Sequence, residues 1–156
     1  MKRYEHQDPF IAETLNEYKD IIDSKKPDQL SLSTYRVDKP WGYEIWMEVN
    51  EYYVYKLIHF NAGNRSSLQS HDIKHESIYV IEGEAEVILE NDEGILESKI
   101  YPAGTGWTVP RNKKHRLTAN VDVTILETSS AHLNDVIRYE DDLNRNSGKL
   151  TNEHGA

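Results

Sequence analysis

Between Trp41 and Ser130 the chain reads as a succession of short β-rich runs with no helical stretch between them. WGYEIWMEV, YYVYKLIHF, SIYVIEG, AEVILE, ILESKIY, GWTVP, HRLTA and VTILETS are separated by Asn61-Ala62-Gly63, Asn91-Asp92-Glu93-Gly94, Pro102-Ala103-Gly104 and Asn112-Lys113-Lys114. Runs of this length with alternating apolar residues, bounded by turn residues, are strands. Many of them at regular spacing leave an all-β sandwich or barrel as the solution. Upstream the period differs. Phe10, Ile11, Leu15, Tyr18, Ile21 and Ile22 recur at helical spacing behind Pro9, which predicts one amphipathic helix within residues 8–24. Its apolar stripe is expected to pack on the barrel or on a second subunit. The boundaries read as a helical extension over 1–40, a barrel over 41–146 and a polar, disordered tail over 147–156.

A chain of 156 residues fits a single domain. It has no cysteine, so a disulfide framework, a thiolate metal site and a thiol nucleophile are all excluded. No apolar run has the length of a signal peptide or a membrane span, and a cytoplasmic protein without membrane contact is expected. A net charge of −9 and a pI near 5.2 argue against nucleic acid as a partner, because phosphate-backbone binding needs a basic footprint. Ten tyrosines and three tryptophans leave aromatic surface to bury, and a homodimer is expected.

Two glycine-led stretches carry the chemistry. In GNRSSLQSHDIKHESIYVIEG, Gly63 precedes Gln69, His71, Glu76 and Gly83. Gln69 and His71, two apart, leave the same face of a strand, and Glu76 can rejoin them only if the chain reverses across Asp72–His75. In GTGWTVPRNKKHRLTAN, Gly104 precedes Pro110, His115 and Asn120. Brought together, Gln69, His71, Glu76 and His115 offer two imidazole nitrogens, a carboxylate and an amide oxygen. That donor set suits one divalent transition metal: zinc, manganese, iron, cobalt or nickel.

The two stretches resemble the paired motifs of the cupin superfamily, G-x5-H-x-H-x4-E-x6-G and G-x5-P-x-G-x2-H-x3-N. Gln69 stands for the first histidine, Asn112 for the glycine after Pro110, and Asn120 lies one position late. Asn112 is a workable substitute, since asparagine also visits positive φ. The resemblance implies a cupin jelly-roll barrel with an N-terminal α-helix. Lys39-Pro40-Trp41-Gly42, Arg65 to His71 (RSSLQSH), His115-Arg116-Leu117 and Asp135 to Asp141 (DVIRYED) further resemble segments of the cupin domain of type II phosphomannose isomerases over residues 36–146. In that family the Q-x-H pair is itself a trait, and Gln69 then becomes a ligand by resemblance.

The same resemblance implies interconversion of mannose 6-phosphate and fructose 6-phosphate. Moving a proton between C1 and C2 through an enediol needs a base, a charge for the developing oxyanion and cations for the phosphate. Arg65, Arg116 and Arg138 are the candidates for phosphate. Lys56, in mid-strand among apolar neighbours, and His75, beside Glu76, are the candidates for the base. Two rivals share the residues. A carbohydrate-binding cupin without catalysis would keep barrel and arginines. A non-haem iron oxygenase would use His71, Glu76 and His115 as a two-histidine, one-carboxylate set. Asp72-Ile73, where type II enzymes carry further histidines, leaves the sugar open.

Overall fold

The computed structural model describes residues 4–23, 32, 34–141 and 148–149. Asp8 caps the first helix, α1 (Pro9–Glu17), by accepting the N–H groups of Phe10 and Ile11. The expected single helix is bent at Tyr18 and continues as α2 (Lys19–Asp23). Tyr18 is fixed from outside the helix. Its ring meets Trp46 edge-on at 5.1 Å and its hydroxyl donates to Asn134 Oδ1 at 3.1 Å. The Ile22 N–H still reaches the Tyr18 carbonyl, so the hydrogen-bond ladder crosses the bend.

Thirteen strands follow: β1 (Tyr35–Lys39), β2 (Gly42–Val49), β3 (Val54–Phe60), β4 (Asn64–Arg65), β5 (Leu68–Ser70), β6 (Glu76–Glu82), β7 (Glu84–Glu90), β8 (Leu96–Pro102), β9 (Gly106–Val109), β10 (His115–Ala119), β11 (Val123–Ser129), β12 (Ile137–Glu140) and β13 (Gly148–Lys149). The eight runs read from the sequence are β2, β3 and β6 through β11. The five others are two to five residues long; β4, β5 and β13, at two or three residues, are too short for alternation to register, and β1 and β12 lie outside the Trp41–Ser130 stretch in which the runs were read. Pairing begins at β1, inside the segment assigned to the helical extension, and β13 pairs with β12 inside the segment assigned to the tail. The remainder of that tail lies outside the described residues.

One sheet runs β1-β2-β3-β11-β6-β9; the other runs β13-β12-β5-β10-β7-β8, with β4 also on β10. Every pair is antiparallel, and β11 inserts between β3 and β6 from far along the chain, as in a jelly roll. Alternation decides what faces inward. On β3 the buried positions are Val54, Lys56, Ile58 and Phe60; on β11 they are Val123, Ile125, Glu127 and Ser129, with Thr124 buried on the other face. Each strand thus places a charged residue in an apolar row.

The core has two parts. Trp41, Ile58, Phe60, Ile78, Val80, Val87, Leu117 and Ile125 belong to a cluster between the sheets. Ile11, Leu15 and Tyr18 close one end of the barrel against Trp46, Val49, Val54, Ala131 and Leu133. Side chains of this size contribute about 1.5–3 kcal/mol each when buried, which is what seats the helix. The β6–β7 turn requires Gly83: its φ is +78°, and a Cβ there would lie 2.1 Å from the Asp122 carbonyl oxygen. Asn112, at φ +61°, takes up the left-handed conformation expected of it. Among the described residues no helix is long and apolar enough to cross a membrane.

Candidate metal centre

His71 leaves the end of β5, Glu76 opens β6 and His115 opens β10. Their ligand atoms lie within 4.8 Å of one another, and all three side chains are buried. His71 Nδ1 lies 2.6 Å from the Asp135 carbonyl and His115 Nδ1 lies 3.1 Å from the Lys113 carbonyl. A carbonyl only accepts, so both rings donate from Nδ1, and Nε2 is the atom that each ring in its neutral form offers as a ligand. Those two Nε2 atoms are buried without a hydrogen-bond partner and stand 3.5 and 3.3 Å from the same oxygen, Glu76 Oε1. Two orphaned imidazole lone pairs converging with a carboxylate are a site that fits a divalent transition metal. Gln69 joins from the neighbouring strand. It pairs with His115 across β5–β10 and lines the same cavity, with its Oε1 accepting the Ser67 hydroxyl at 2.9 Å.

The second oxygen of Glu76 is already held. Lys74 Nζ lies 2.9 Å from Glu76 Oε2 and 3.2 Å from Glu127 Oε1, all three side chains being nearly inaccessible. Burial works against the Lys74 ammonium, but the charges of Glu127 and Glu76 outweigh it and raise its pKa. Burial likewise pushes Glu76 up, and the charge of Lys74 with a hydrogen bond from Glu127 brings it well below the usual carboxylate range. Glu127 goes the other way, to about 8, because burial and the neighbouring Glu76 charge outweigh the pull of Lys74.

Further along the same wall Lys56 donates to Glu44 Oε1 at 2.8 Å, while Lys39 lies 3.6 Å from Glu44 Oε2. Lys56 and Glu127 are direct partners across β3–β11, and Lys56 Nζ sits 4.7 Å from the centroid of the Trp46 ring. The cavity these residues line, about 120 Å³, is also lined by apolar side chains further along the same strands, where Trp41 stacks on Phe60 at 4.0 Å, with Ile58, Ile78 and Trp107 also on the wall.

Of the residues singled out from the sequence, Gln69, His71, Glu76, His115, Lys56 and Arg116 therefore surround one cavity. The other three lie elsewhere. His75 precedes Glu76 by one residue, so its side chain leaves the opposite face of the chain and is exposed. Arg65 is exposed on β4, and Arg138 is buried in β12 opposite Gln69 without lining the cavity. Arg116 donates from Nε to the Ser66 carbonyl and from Nη2 to the Glu140 carbonyl, at 2.9 and 3.2 Å, two of the five N–H donors of its guanidinium.

Sequence reasoning missed Lys74, Glu127, Glu44 and Asp135. Asp135 is fully buried, and its carboxylate accepts the backbone N–H groups of Asp72, Ile73 and Lys74 at 3.3, 2.6 and 2.8 Å. Burial would raise its pKa, but those three N–H groups prevail and lower it.

The mannose-6-phosphate isomerase C-terminal family model matches residues 26–145. The chain belongs to this family. No curated protein sequence matches it. Among solved structures, an oxalate decarboxylase variant from Bacillus subtilis has 17% identity and a TM-score of 0.60 over 69% of this chain and 30% of that one. KdgF from a Halomonas species has 19% identity and a TM-score of 0.54 over 62% of this chain and 87% of that one. At such identities the likeness is one of fold, and the fold is the cupin jelly roll. The chain spans less than a third of the length of the oxalate decarboxylase.

Proposed function

We propose that this cupin is a metal-dependent sugar-phosphate isomerase acting on mannose 6-phosphate or a close relative. The observation that carries the reading is the convergence of His71 Nε2, His115 Nε2 and Glu76 Oε1 in a cavity also lined by Lys56 and Glu127. Family membership supplies the reaction type to be tested. His71, Glu76 and His115 would hold the ion, with Gln69 as the fourth donor. When bound, a divalent ion supplies a Lewis acid that polarises a carbonyl.

The remaining groups divide the work of an enediol route. The Lys56 ammonium, held by Glu44, can donate to the oxygen on which negative charge develops. Glu127, its cross-strand partner, lines the same cavity and is the carboxyl proposed to move the proton between adjacent carbons. Arg116 is the arginine on the cavity wall and the one proposed to meet the phosphate end; the apolar part of the lining would exclude water. His75 and Arg65, both exposed, have no part in this route.

The test is solvent-deuterium exchange at C2 of mannose 6-phosphate with protein loaded in turn with Zn2+, Mn2+, Fe2+, Co2+ and Ni2+. Label entering C2, with fructose 6-phosphate formed in a coupled assay, supports the isomerase. Neither label nor product with any metal overturns it and leaves a carbohydrate-binding cupin. The two-histidine, one-carboxylate set also favours a second reading, the iron oxygenase, which oxygen uptake with Fe2+ would reveal.

A further inference from the structure

The ligand-bearing loop between His71 and Glu76 makes its own demand. Four residues must reverse the chain so that a ligand from the end of β5 meets one from the start of β6, and of these Lys74 is buried and Asp72 and Ile73 are half-buried. A buried N–H without a partner costs about 1–3 kcal/mol, so a reversal of this kind needs acceptors from elsewhere.

We propose that Asp135 is the positioning residue that builds this loop and sets the geometry of the metal centre. Its two ends act on two ligands. Through its carbonyl it accepts a hydrogen bond from His71 Nδ1, at 2.6 Å, and so turns Nε2 toward Glu76 and His115. Its carboxylate gathers three successive N–H groups, those of Asp72, Ile73 and Lys74, into one concave turn. The turn delivers the Lys74 ammonium to Glu76 Oε2 and leaves Oε1 facing the histidines. The second motif is joined to the same loop by the Asn112 N–H, which donates to the His71 carbonyl at 2.7 Å. Asp135 comes from neither motif. It lies in the connection between β11 and β12, more than sixty residues beyond the loop, and is wholly inaccessible to solvent.

The geometry is selective for a carboxylate. Ile73 and Lys74 donate to Oδ2 and Asp72 to Oδ1, so both oxygens are used. An asparagine can present an oxygen to one set of donors only and turns its NH2 group against the other. An apolar residue would strand all three N–H groups.

This inference rests on the metal reading, and the experiment separates the two. Wild type, Asp135→Asn and Tyr139→Phe are titrated with Co2+ in competition with a chromogenic chelator, and each is melted without metal. Tyr139→Phe is the control: it removes the β12 contact to Ser70 Oγ, at 2.9 Å, without touching the loop. Asp135→Asn should bind Co2+ about 10- to 100-fold more weakly, the usual effect of losing a group that orients metal ligands, while Tyr139→Phe binds as wild type does. In metal-free wild type the Ile73 and Lys74 amides should exchange slowly with solvent, and Asp135→Asn should speed both. Wild-type affinity in a folded Asp135→Asn protein overturns the proposal, as does an equal loss in Tyr139→Phe. Should Asp135→Asn fail to fold, exchange decides: Ile73 and Lys74 amides as fast as those of an open loop in the wild type overturn it. Wild type that binds no Co2+ refutes the metal reading instead, and the amide measurement still tests the loop.

Discussion

Replacing Lys56 by methionine tests how the charged wall of the cavity is held together. Lys56 is 2% exposed and Glu44 is 3% exposed, with 2.8 Å between Nζ and Oε1. Methionine keeps the packing of the stem and removes the charge. Glu44 then stays buried with Lys39, at 3.6 Å, as its nearest remaining counter-charge. Removing one partner of a buried ion pair costs about 3–5 kcal/mol, and losing the cation over the Trp46 ring adds up to about 2 kcal/mol where that contact is dry. Lys39 offsets part of this, so about 3–5 kcal/mol at neutral pH is the expected loss. In urea it should lower the midpoint by about 2 M at an ordinary m-value.

The pH dependence identifies the cause. In the wild type, burial pushes Glu44 up, but Lys56 and then Lys39 bring its pKa below the usual carboxylate range. A depressed native pKa contributes stability above the unfolded value that is lost as pH falls through the native one. In Lys56→Met burial prevails, the Glu44 pKa rises, and the penalty is present above that raised value and relieved on protonation. The stability gap between the two proteins should therefore narrow on going from about pH 7.5 to about pH 5. Lys56→Met combined with Glu44→Gln should recover most of the loss. A gap under about 1 kcal/mol, the range of an exposed pair, or one that does not change with pH refutes the reasoning.

Other outcomes follow from the same contacts. His71→Ala should abolish metal retention, as read by elemental analysis, because no same-face neighbour supplies a second imidazole. Asn112→Val should cost about 1–2 kcal/mol in thermal unfolding, since a β-branched residue must adopt φ +61°, whereas Asn112→Gly should be tolerated. Asp8→Ala should cost about 0.5–2 kcal/mol by urea unfolding, as it removes both the α1 cap and the contact of Asp8 Oδ2 with His132 Nε2 at 3.1 Å. A homodimer is expected in solution, with Tyr79 and Ile81 among the exposed apolar side chains available to bury; light scattering that gives a monomer at micromolar concentration refutes it.

What the sequence revealed, and what it hid, divides along physical lines. Period-two alternation survives in strands of four to eight residues, and β2, β3 and β6 through β11 were legible for that reason. Leu68–Ser70 is too short to alternate visibly, yet it carries Gln69 and leads into His71; there the motif spacing revealed what periodicity could not. The exposure of His75 was legible in principle, for if Glu76 faces inward its strand neighbour cannot. Lys74, Glu127 and Glu44 were not legible. Their meaning lies in a register that sets Glu127 beside Lys56 and in a loop that carries Lys74 to both carboxylates. Asp135 stood in plain view within a quoted segment. Only the folded chain reveals that its acceptors answer N–H groups on another loop.

The grip of Lys74 on one oxygen of Glu76 bears on which ions the centre can favour. A carboxylate with one oxygen committed to an ammonium offers an incoming cation a single tooth. Calcium commonly draws on carboxylates that chelate through both oxygens and has little use for imidazole. It would forfeit the chelate here and meet two nitrogen donors in its place. A small transition ion takes one oxygen and two nitrogens without loss. If a metal binds there, a lysine that never touches the ion would thus weigh against calcium and leave the smaller transition ions unpenalised.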